Sequence, residues 1–204
     1  MACRLMIVAE GQTEADFINQ VLAPHLQGFG VMVANPINMR GHITVQGLTL
    51  RVKQVLSNYD AVSTLVDFYG FKREKQFDPW SSAKELEALI AAESCNPQHF
   101  IPYAQLHEFE ALLFSCPHTL VKHFHKPTAL PELQHLINSV DNPEQINNSY
   151  ETKPSKRLEY FFAGYAKGLH GVPVAVGIGL GSIREKCPRF NAWITRLEQL
   201  GNLR

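Results

Sequence analysis

The chain has 204 residues, 45% of them hydrophobic and 19% charged, a composition that excludes disordered and coiled-coil proteins. Nineteen Lys and Arg residues balance nineteen Asp and Glu residues, so the net charge does not indicate a dedicated nucleic-acid binder. No apolar stretch approaches the roughly eighteen residues of a membrane span, and the start shows no export signal, so we expect a cytoplasmic protein without a membrane partner.

Apolar strands and amphipathic helices alternate along the chain. The first half predicts a strand over 5–9, a helix beginning near 13, a strand over 31–34, a loop through Gly41 and Gly47, a helix over 48–57 and a strand over 61–66. The second half predicts a helix over 82–93, a strand over 100–106, a helical segment over 107–114, short helices and loops over 117–154, a strand over 172–178 and a helix over 190–200. This order indicates an α/β fold with a mostly parallel central sheet and helices on both faces, and the length suits one domain over 1–204.

Charge is distributed unevenly along the chain. Residues 1–150 carry ten Lys and Arg against fifteen Asp and Glu, whereas residues 151–204 carry nine against four. An acidic metal pocket flanked by a basic, phosphate-binding surface would produce this asymmetry. The cysteines form no CxxC pair and have no metal-ligand spacing, so we interpret all of them as reduced thiols: Cys3, Cys95, Cys116 and Cys187.

Carboxylates follow several of the predicted strands. Glu10 ends the first strand before Gly11, Asp67 ends the strand over 61–66, and His107, Glu108 and Glu110 follow the strand over 100–106. Sites in parallel sheets lie beyond the carboxyl ends of the strands, so we expect these groups to be neighbours. Alternative interpretations stay open, because Glu10 and Asp67 could simply be turn residues.

Converging carboxylates would require a cation between them. Like charges about 4 Å apart repel by roughly 4 kcal/mol at an effective dielectric constant near 20. Oxygen ligands without clustered His or Cys suit Mg²⁺ or Mn²⁺. We expect the following helix to start with Thr13 and Asp16, and Glu14 in this helix to point toward the protein interior. Alternatively, Glu14 is only a first-turn acid that interacts favourably with the helix dipole. Of Glu108 and Glu110 we rank Glu108 first because it lies nearer the strand end, although either could lie on a solvated helix flank.

A basic segment, Lys153-Pro154-Ser155-Lys156-Arg157, is the second candidate feature. Lys153, Lys156 and Arg157 are candidate phosphate ligands, and the alternative is a solvated turn. His107 could orient a substrate or carry a proton, or it could be a partly buried histidine with a structural hydrogen bond.

Six segments, taken in chain order, resemble a family of uncharacterised bacterial proteins known as domain of unknown function 4276. They are VAEGQTEADF, TLVDFYGF, QLHEFEALLF, PEQINNS, KPSKR and CPRFNAWI. The resemblance implies a Toprim-like fold similar to the nuclease domains of OLD-type enzymes, with residues 117–204 as a helical and basic extension of the same domain. It also implies a mobile-element or phage-defence context with an ATPase partner.

The resemblance assigns the Toprim motif residue by residue. Glu10 matches the strand-end glutamate, Glu14 the second acid of the EGxxE form, and Asp67 the first Asp of the DxD motif. Tyr69 stands where the second Asp would fall, so a two-metal site requires an oxygen from Glu108 or Glu110.

The function that follows is a Mg²⁺- or Mn²⁺-dependent nuclease or phosphodiesterase. Glu10 and Asp67 would hold the ion, Glu14 and Glu108 or Glu110 would support it, and Lys156 or Arg157 would neutralise the phosphate. The alternatives are a catalytically inactive Toprim-shaped subunit that binds nucleic acid or nucleotide beside an ATPase, and a phosphoryl-transfer enzyme for small nucleotides. The sequence does not choose between DNA and RNA and does not indicate an oligomeric state.

Overall fold

The computed structural model describes residues 2–41, 43–71, 82–94, 99–147 and 152–202. The chain forms two compact units, unit 1 from Met1–Gln105 with Trp193–Arg204 and unit 2 from Leu106–Ala192. The sequence suggested one domain with an extension over 117–204. The structure divides the chain at 106 instead and returns the last residues to unit 1, so the single domain stays a prediction.

Unit 1 is built on short parallel strands. They are β1 (Cys3–Ala9), β2 (Val31–Val33), β3 (Ile37–Asn38), β4 (Ala61–Asp67), β5 (Phe100–Ile101) and β6 (Ala104–Gln105). Their order is β2-β1-β4-β5, with β3 also paired to β1 and β6 to β4, and every pairing is parallel. All seven residues of β4 are buried, as expected of a strand covered on both faces. The predicted α/β fold class with a mostly parallel sheet is confirmed.

The helices of unit 1 begin within a few residues of the positions that the sequence predicted. They are α1 (Gln12–Phe17), which continues through a π-helical segment (Ile18–Leu22) into α2 (Ala23–Gln27), and α3 (Val45–Leu56) and α4 (Ala83–Glu93). The N-terminus of α1 is closed by Glu14, which accepts the Gly11 N–H at 3.0 Å, rather than by Thr13 with Asp16. The Thr44 hydroxyl accepts the Gly47 N–H at 3.0 Å, so Gly47 lies in α3 and not in the expected loop.

The strand predicted over 100–106 is interrupted at Pro102, which has no N–H to donate to the sheet. Two hydroxyl groups of β4 bond the backbone around the interruption. Ser63 Oγ donates to the Ile101 carbonyl at 2.6 Å, and Thr64 Oγ1 both donates to the Tyr103 carbonyl and accepts its N–H. The segment therefore keeps its place beside β4 as β5 and β6.

The closing helix, α10 (Pro188–Gln199), was expected to pack on the sheet. Its residue Trp193 donates Nε1–H to Ser63 Oγ at 2.9 Å, and its ring stacks on Tyr103 with centroids 4.6 Å apart. The prediction is confirmed for the part of α10 that belongs to unit 1.

The described residues of unit 2 form helices joined by turns and loops and contain no strand. Its elements are a 3₁₀ helix (Phe109–Ser115), α5 (Pro117–His123), α6 (Leu130–Asn138), α7 (Pro154–Phe161), α8 (Lys167–Ile178), α9 (Leu180–Lys186) and short 3₁₀ turns. The strand predicted over 172–178 is wrong, because this apolar run forms α8. Its buried residues are Gly171, Val172, Val174, Ala175 and Ile178, and a short apolar run of this kind does not distinguish a helix from a strand.

Candidate functional site

Glu10 and Asp67 end neighbouring parallel strands of unit 1. β2 and β3 lie on one side of β1 and β4 lies on the other, so the crossover direction reverses between β1 and β4. Ligands of open α/β sheets bind beyond the strand ends at such a reversal. The sheet order therefore supports a site at the two positions that the sequence selected.

A hydrogen bond joins the two strand ends directly. The backbone N–H of Asp67 donates to Glu10 Oε2 at 2.7 Å. The main chain of Glu10 is fixed as well, because its N–H donates to the Leu65 carbonyl and its carbonyl accepts the Gly41 N–H. Glu10 is therefore both a candidate ligand and an acceptor for a backbone donor, as the turn-residue interpretation required.

The turn after β4 leaves room for the Glu10 carboxylate. A Cβ atom built on Gly70 would overlap that carboxylate more closely than real Cβ contacts allow. Glycine at this position therefore allows the Glu10 carboxylate to lie where it does, because of close approach rather than backbone angle. Tyr69 in the same turn is 47% exposed, so the position of the second motif acid carries an exposed phenol.

Glu14 is 1% exposed, which confirms that it leans into the protein. Its Oε2 accepts the Gly11 N–H and closes the start of α1. Asp67 is also buried, at 4% exposure. Unit 1 thus brings Glu10, Glu14 and Asp67 to one region of the sheet edge.

Glu108 lies in unit 2 and is held at the start of α7. Its Oε1 lies 2.7 Å from Lys153 Nζ, and its Oε2 accepts the Ser155 N–H at 2.9 Å. Burial raises the pKa of Glu108, but the bonds from Lys153 and Ser155 outweigh burial and leave the pKa below its ordinary value. The carboxylate is therefore charged and already paired with an ammonium group.

Glu110 is 2% exposed, so neither glutamate lies on the solvated flank that was considered for them. Its Oε2 lies 3.4 Å from Lys167 Nζ on α8. Burial, and then the charge of Glu110, raise the pKa of the Tyr165 phenol. Glu110 is therefore a buried carboxylate paired with the partly exposed Lys167 and close to the uncharged Tyr165 phenol.

His107 precedes Glu108 with a positive φ of 68°, a conformation that non-glycine residues seldom adopt. Its Nδ1 lies 3.3 Å from Asn147 Nδ2. Burial lowers the pKa of His107, and the neighbouring Glu108 charge opposes this only in part. The ring is therefore uncharged at neutral pH and could accept or donate a proton.

The basic segment begins α7 rather than forming a solvated turn. Lys153 is the N-cap residue, and its backbone is extended before Pro154. Lys156 pairs with Glu159 at 2.7 Å, and Arg157 Nε donates to the Thr152 carbonyl at 3.0 Å. Lys153 is engaged by Glu108, which leaves Lys156 and Arg157 as the more accessible candidates for phosphate.

The predicted site residues thus form two groups, one in each unit. Glu10, Glu14 and Asp67 belong to unit 1, whereas the other candidates belong to unit 2: His107, Glu108, Glu110, Lys153, Lys156 and Arg157. An ion shared by the two groups stays a prediction. Across the part of the chain that the structure describes, no three His, Cys, Asp or Glu side chains are arranged to hold one metal ion.

The family model for domain of unknown function 4276 matches residues 9–198. The chain belongs to this family. The C-terminal region of the Xanthomonas campestris pv. campestris OLD protein has a similar structure, with 13% identity, a TM-score of 0.52, and coverage of 100% of this chain and 98% of that chain. At this identity the likeness shows the fold, and it agrees with the predicted OLD-like Toprim relation. No curated protein matches the chain. None of the described helices is both long and apolar enough to span a membrane.

The family segments in unit 2 are bonded to one another. The segment QLHEFEALLF is bonded to KPSKR through the Glu108–Lys153 pair and to PEQINNS through the contact of His107 with Asn147. PEQINNS meets CPRFNAWI through Glu144, a residue that the sequence did not single out. Its only sequence signal was its place in a family segment, because its bonding partners lie about 45 residues away.

A cavity of about 780 Å³ in unit 2 contains none of the predicted site residues. Its wall combines apolar Phe114, Pro117 and Ile137 with the amides of Asn138 and Asn142. The size suits a small molecule. The carboxylates and lysines of the family segments lie outside its wall, so the candidate site rests on the strand ends.

Lys153→Met should make the protein less stable near neutral pH. Methionine keeps the length of the side chain but removes the ammonium partner of Glu108. A hydrogen bond to a charged group contributes about 1.5–3 kcal/mol, and partial exposure reduces this, so we expect a loss of about 1–2 kcal/mol in urea unfolding.

The pH dependence tests the same pair. The folded-state pKa of Glu108 lies below its unfolded value, so its stabilisation is present above the unfolded pKa and is lost as the pH falls through the folded pKa. The difference between wild type and Lys153→Met should therefore shrink on acidification. Lys156→Met, which breaks an exposed pair, is the control and should change stability by less than about 0.5 kcal/mol. A difference that is constant with pH would contradict the ion pair.

Proposed function

We propose that this member of the family is a metal-dependent phosphodiesterase that acts on nucleic acid. One observation carries the proposal: Glu10 and Asp67 end adjacent parallel strands at the reversal of the sheet, and the Asp67 N–H donates to Glu10 Oε2 at 2.7 Å. The likeness in fold to the OLD protein region supports a nuclease-like relation. A phage-defence or mobile-element context with an ATPase partner follows only from the family resemblance.

The donor chemistry at this edge fits a hard divalent cation. The candidate ligands are carboxylate oxygens, and Glu14 and Asp67 are almost completely buried, where a charged group requires a compensating charge. Mg²⁺ is commonly bound by one or two carboxylates, with water and substrate phosphate oxygens completing its shell. Two strand-end carboxylates are therefore sufficient. When bound, Mg²⁺ or Mn²⁺ supplies Lewis-acid polarisation of a phosphoryl oxygen and acidifies bound water.

The residues of the chain have separate tasks in this proposal. Glu10 and Asp67 hold the cation, and the Asp67 N–H and Gly70 fix where the Glu10 carboxylate lies. Glu14 supports them by closing the turn at Gly11. In unit 2, Lys156 and Arg157 are the candidates for contacts with phosphates of the nucleic acid, since Lys153 is engaged by Glu108.

A second candidate function is a binding subunit without catalysis. The exposed Tyr69 favours it, because this position lacks the second acid of the motif. A phenol on the surface offers a stacking partner for a base, which suits single-stranded nucleic acid. Binding of single-stranded DNA or RNA without cleavage, with and without an ATPase partner, would favour this alternative.

Millimolar Mg²⁺ or Mn²⁺ should raise the melting temperature of the wild type. A ligand that binds only the native state stabilises it by RT ln(1 + [L]/Kd), about 2.7 kcal/mol at a hundredfold excess over Kd. Asp67→Asn should abolish this shift and the metal-dependent cleavage of DNA or RNA. Asp141→Asn, the same substitution at an exposed position of unit 2, should retain both.

The outcomes separate the candidates. A metal-induced shift together with cleavage, both lost in Asp67→Asn, supports the phosphodiesterase. An unchanged melting curve in the wild type removes the metal site. A shift without cleavage of any nucleic acid, with nucleic acid bound, supports the binding subunit.

A further inference from the structure

Two histidines of unit 2 bring their ring nitrogens together from different helices. His123 ends α5, and His170 lies in the first turn of α8. Nε2 of His123 lies 3.0 Å from Nδ1 of His170, and the two rings are nearly perpendicular, at 85°. The pair contains no residue of the proposed phosphodiesterase site.

The two nitrogens lie at hydrogen-bond distance, and the same spacing also suits two ligands on one ion. Imidazole nitrogens bind transition metals at about 2.0–2.1 Å, and two such ligands at a right angle lie about 3.0 Å apart. A right angle between neighbouring nitrogen ligands is the geometry of square-planar or tetragonal Cu²⁺ and Ni²⁺, whereas tetrahedral Zn²⁺ would separate them by about 3.4 Å.

The surroundings hold both rings in place and leave them partly exposed. The Phe124 ring lies 4.9 Å from the His170 ring, and Tyr165 stacks on His170 at 6.1 Å. The nearest lysine on α8, Lys167, is paired with Glu110. Burial, with His170 and His125 nearby, lowers the pKa of His123, which favours the neutral ring that a metal needs.

We infer that His123 and His170 form a two-histidine site for a divalent transition metal, Cu²⁺ or Ni²⁺ before Zn²⁺, that cross-links α5 to α8. Water completes the coordination, since among the described residues no third His, Cys, Asp or Glu joins the pair in a ligand arrangement. In the ion-free protein one ring donates N–H to the other. On binding, that proton moves to the distal nitrogen of the same ring, which frees the bonded nitrogen for the metal.

The test uses the full chain, free of affinity tags and stripped of metal. Cu²⁺ should bind with the electron paramagnetic resonance signature of nitrogen ligands, and Ni²⁺ should raise the melting temperature. His123→Ala and His170→Ala should each weaken binding at least tenfold, because losing even a partner behind a ligand costs about 10- to 100-fold. The controls His118→Ala and His135→Ala replace exposed histidines and should bind as the wild type does.

Two comparisons make the outcome decisive. Should His123→Ala unfold, His123→Gln keeps a polar group of similar size, and it should fold but lose the metal. The melting shift induced by Mg²⁺ should be the same in either histidine variant as in the wild type, and Asp67→Asn should leave Cu²⁺ binding intact. The two sites are therefore tested independently of each other. No Cu²⁺ or Ni²⁺ binding by the wild type, or wild-type binding by the His123→Ala, His170→Ala double variant, would overturn the inference.

Discussion

Glu10→Gln is expected to abolish the metal-induced melting shift and to lower the proposed phosphodiesterase activity at least a hundredfold. The negative charge of Glu10 is what a hard cation requires, and changes merely behind a metal ligand already cost about 10- to 100-fold. The fold should tolerate the change, because the amide oxygen can still accept the Asp67 N–H. Metal-free stability should change little, since the weaker hydrogen bond is offset by lower repulsion from Asp67.

Gly70→Ala is the matched companion of this variant. It keeps the Glu10 charge but places a methyl group where the Glu10 carboxylate lies. The flexible end of Glu10 can move aside, so the protein should fold, but the carboxylate leaves the Asp67 N–H. We expect the metal-induced shift to be lost here as well, because the ligand has the right charge in the wrong place.

Three measurements decide the role of Glu10: metal-free melting, metal-induced shift and nuclease activity. A structural acceptor alone would behave oppositely, since losing a charge-assisted bond costs about 1.5–3 kcal/mol in the absence of metal. A large metal-free loss in Glu10→Gln, with the metal shift intact, would refute Glu10 as a ligand.

Glu144→Ala is expected to cause the largest loss of stability. Glu144 is 1% exposed, and its two carboxylate oxygens accept the N–H groups of Arg189 at 2.8 Å and Phe190 at 3.2 Å. These donors belong to the first turn of α10 and have no partner within that helix. Losing two charge-assisted bonds should cost about 3 kcal/mol or more, which corresponds to roughly 6–12 °C in melting temperature for a chain of this size.

The control for Glu144 is Glu132→Ala. Glu132 is an exposed helical glutamate whose carboxylate accepts the hydroxyl of Tyr160, itself 70% exposed. Its loss should change stability by less than about 0.5 kcal/mol. Glu144→Gln should lie between the two, since its amide can accept from one N–H but turns an NH₂ group toward the other. A Glu144→Ala variant within 1 kcal/mol of the wild type by urea unfolding would show that water replaces the carboxylate.

The sequence by itself determined the features that repeat locally. An apolar run that ends in an acid is visible without a structure, so the sequence selected Glu10 and Asp67 as candidates. The parallel-sheet rule predicted that they are neighbours, which the hydrogen bond between them confirms. Helices α4 and α10 were also predicted closely, because their spacing of apolar residues is regular. The burial of Glu14 followed from its alignment with the buried residues of its helix.

Only the tertiary structure decided features whose partners are distant in sequence. The run over 172–178 became α8, since a short apolar segment carries no reliable period, and its buried residues are selected by what packs on it. The segment over 100–106 stays paired with β4 despite Pro102, because hydroxyl groups of β4, about 38 residues earlier, bond its backbone. Glu108 found its charge partner at Lys153, and Glu144 its backbone donors in α10. Each is a long-range bond that local spacing does not encode, because burial and pairing are decided when the chain closes on itself.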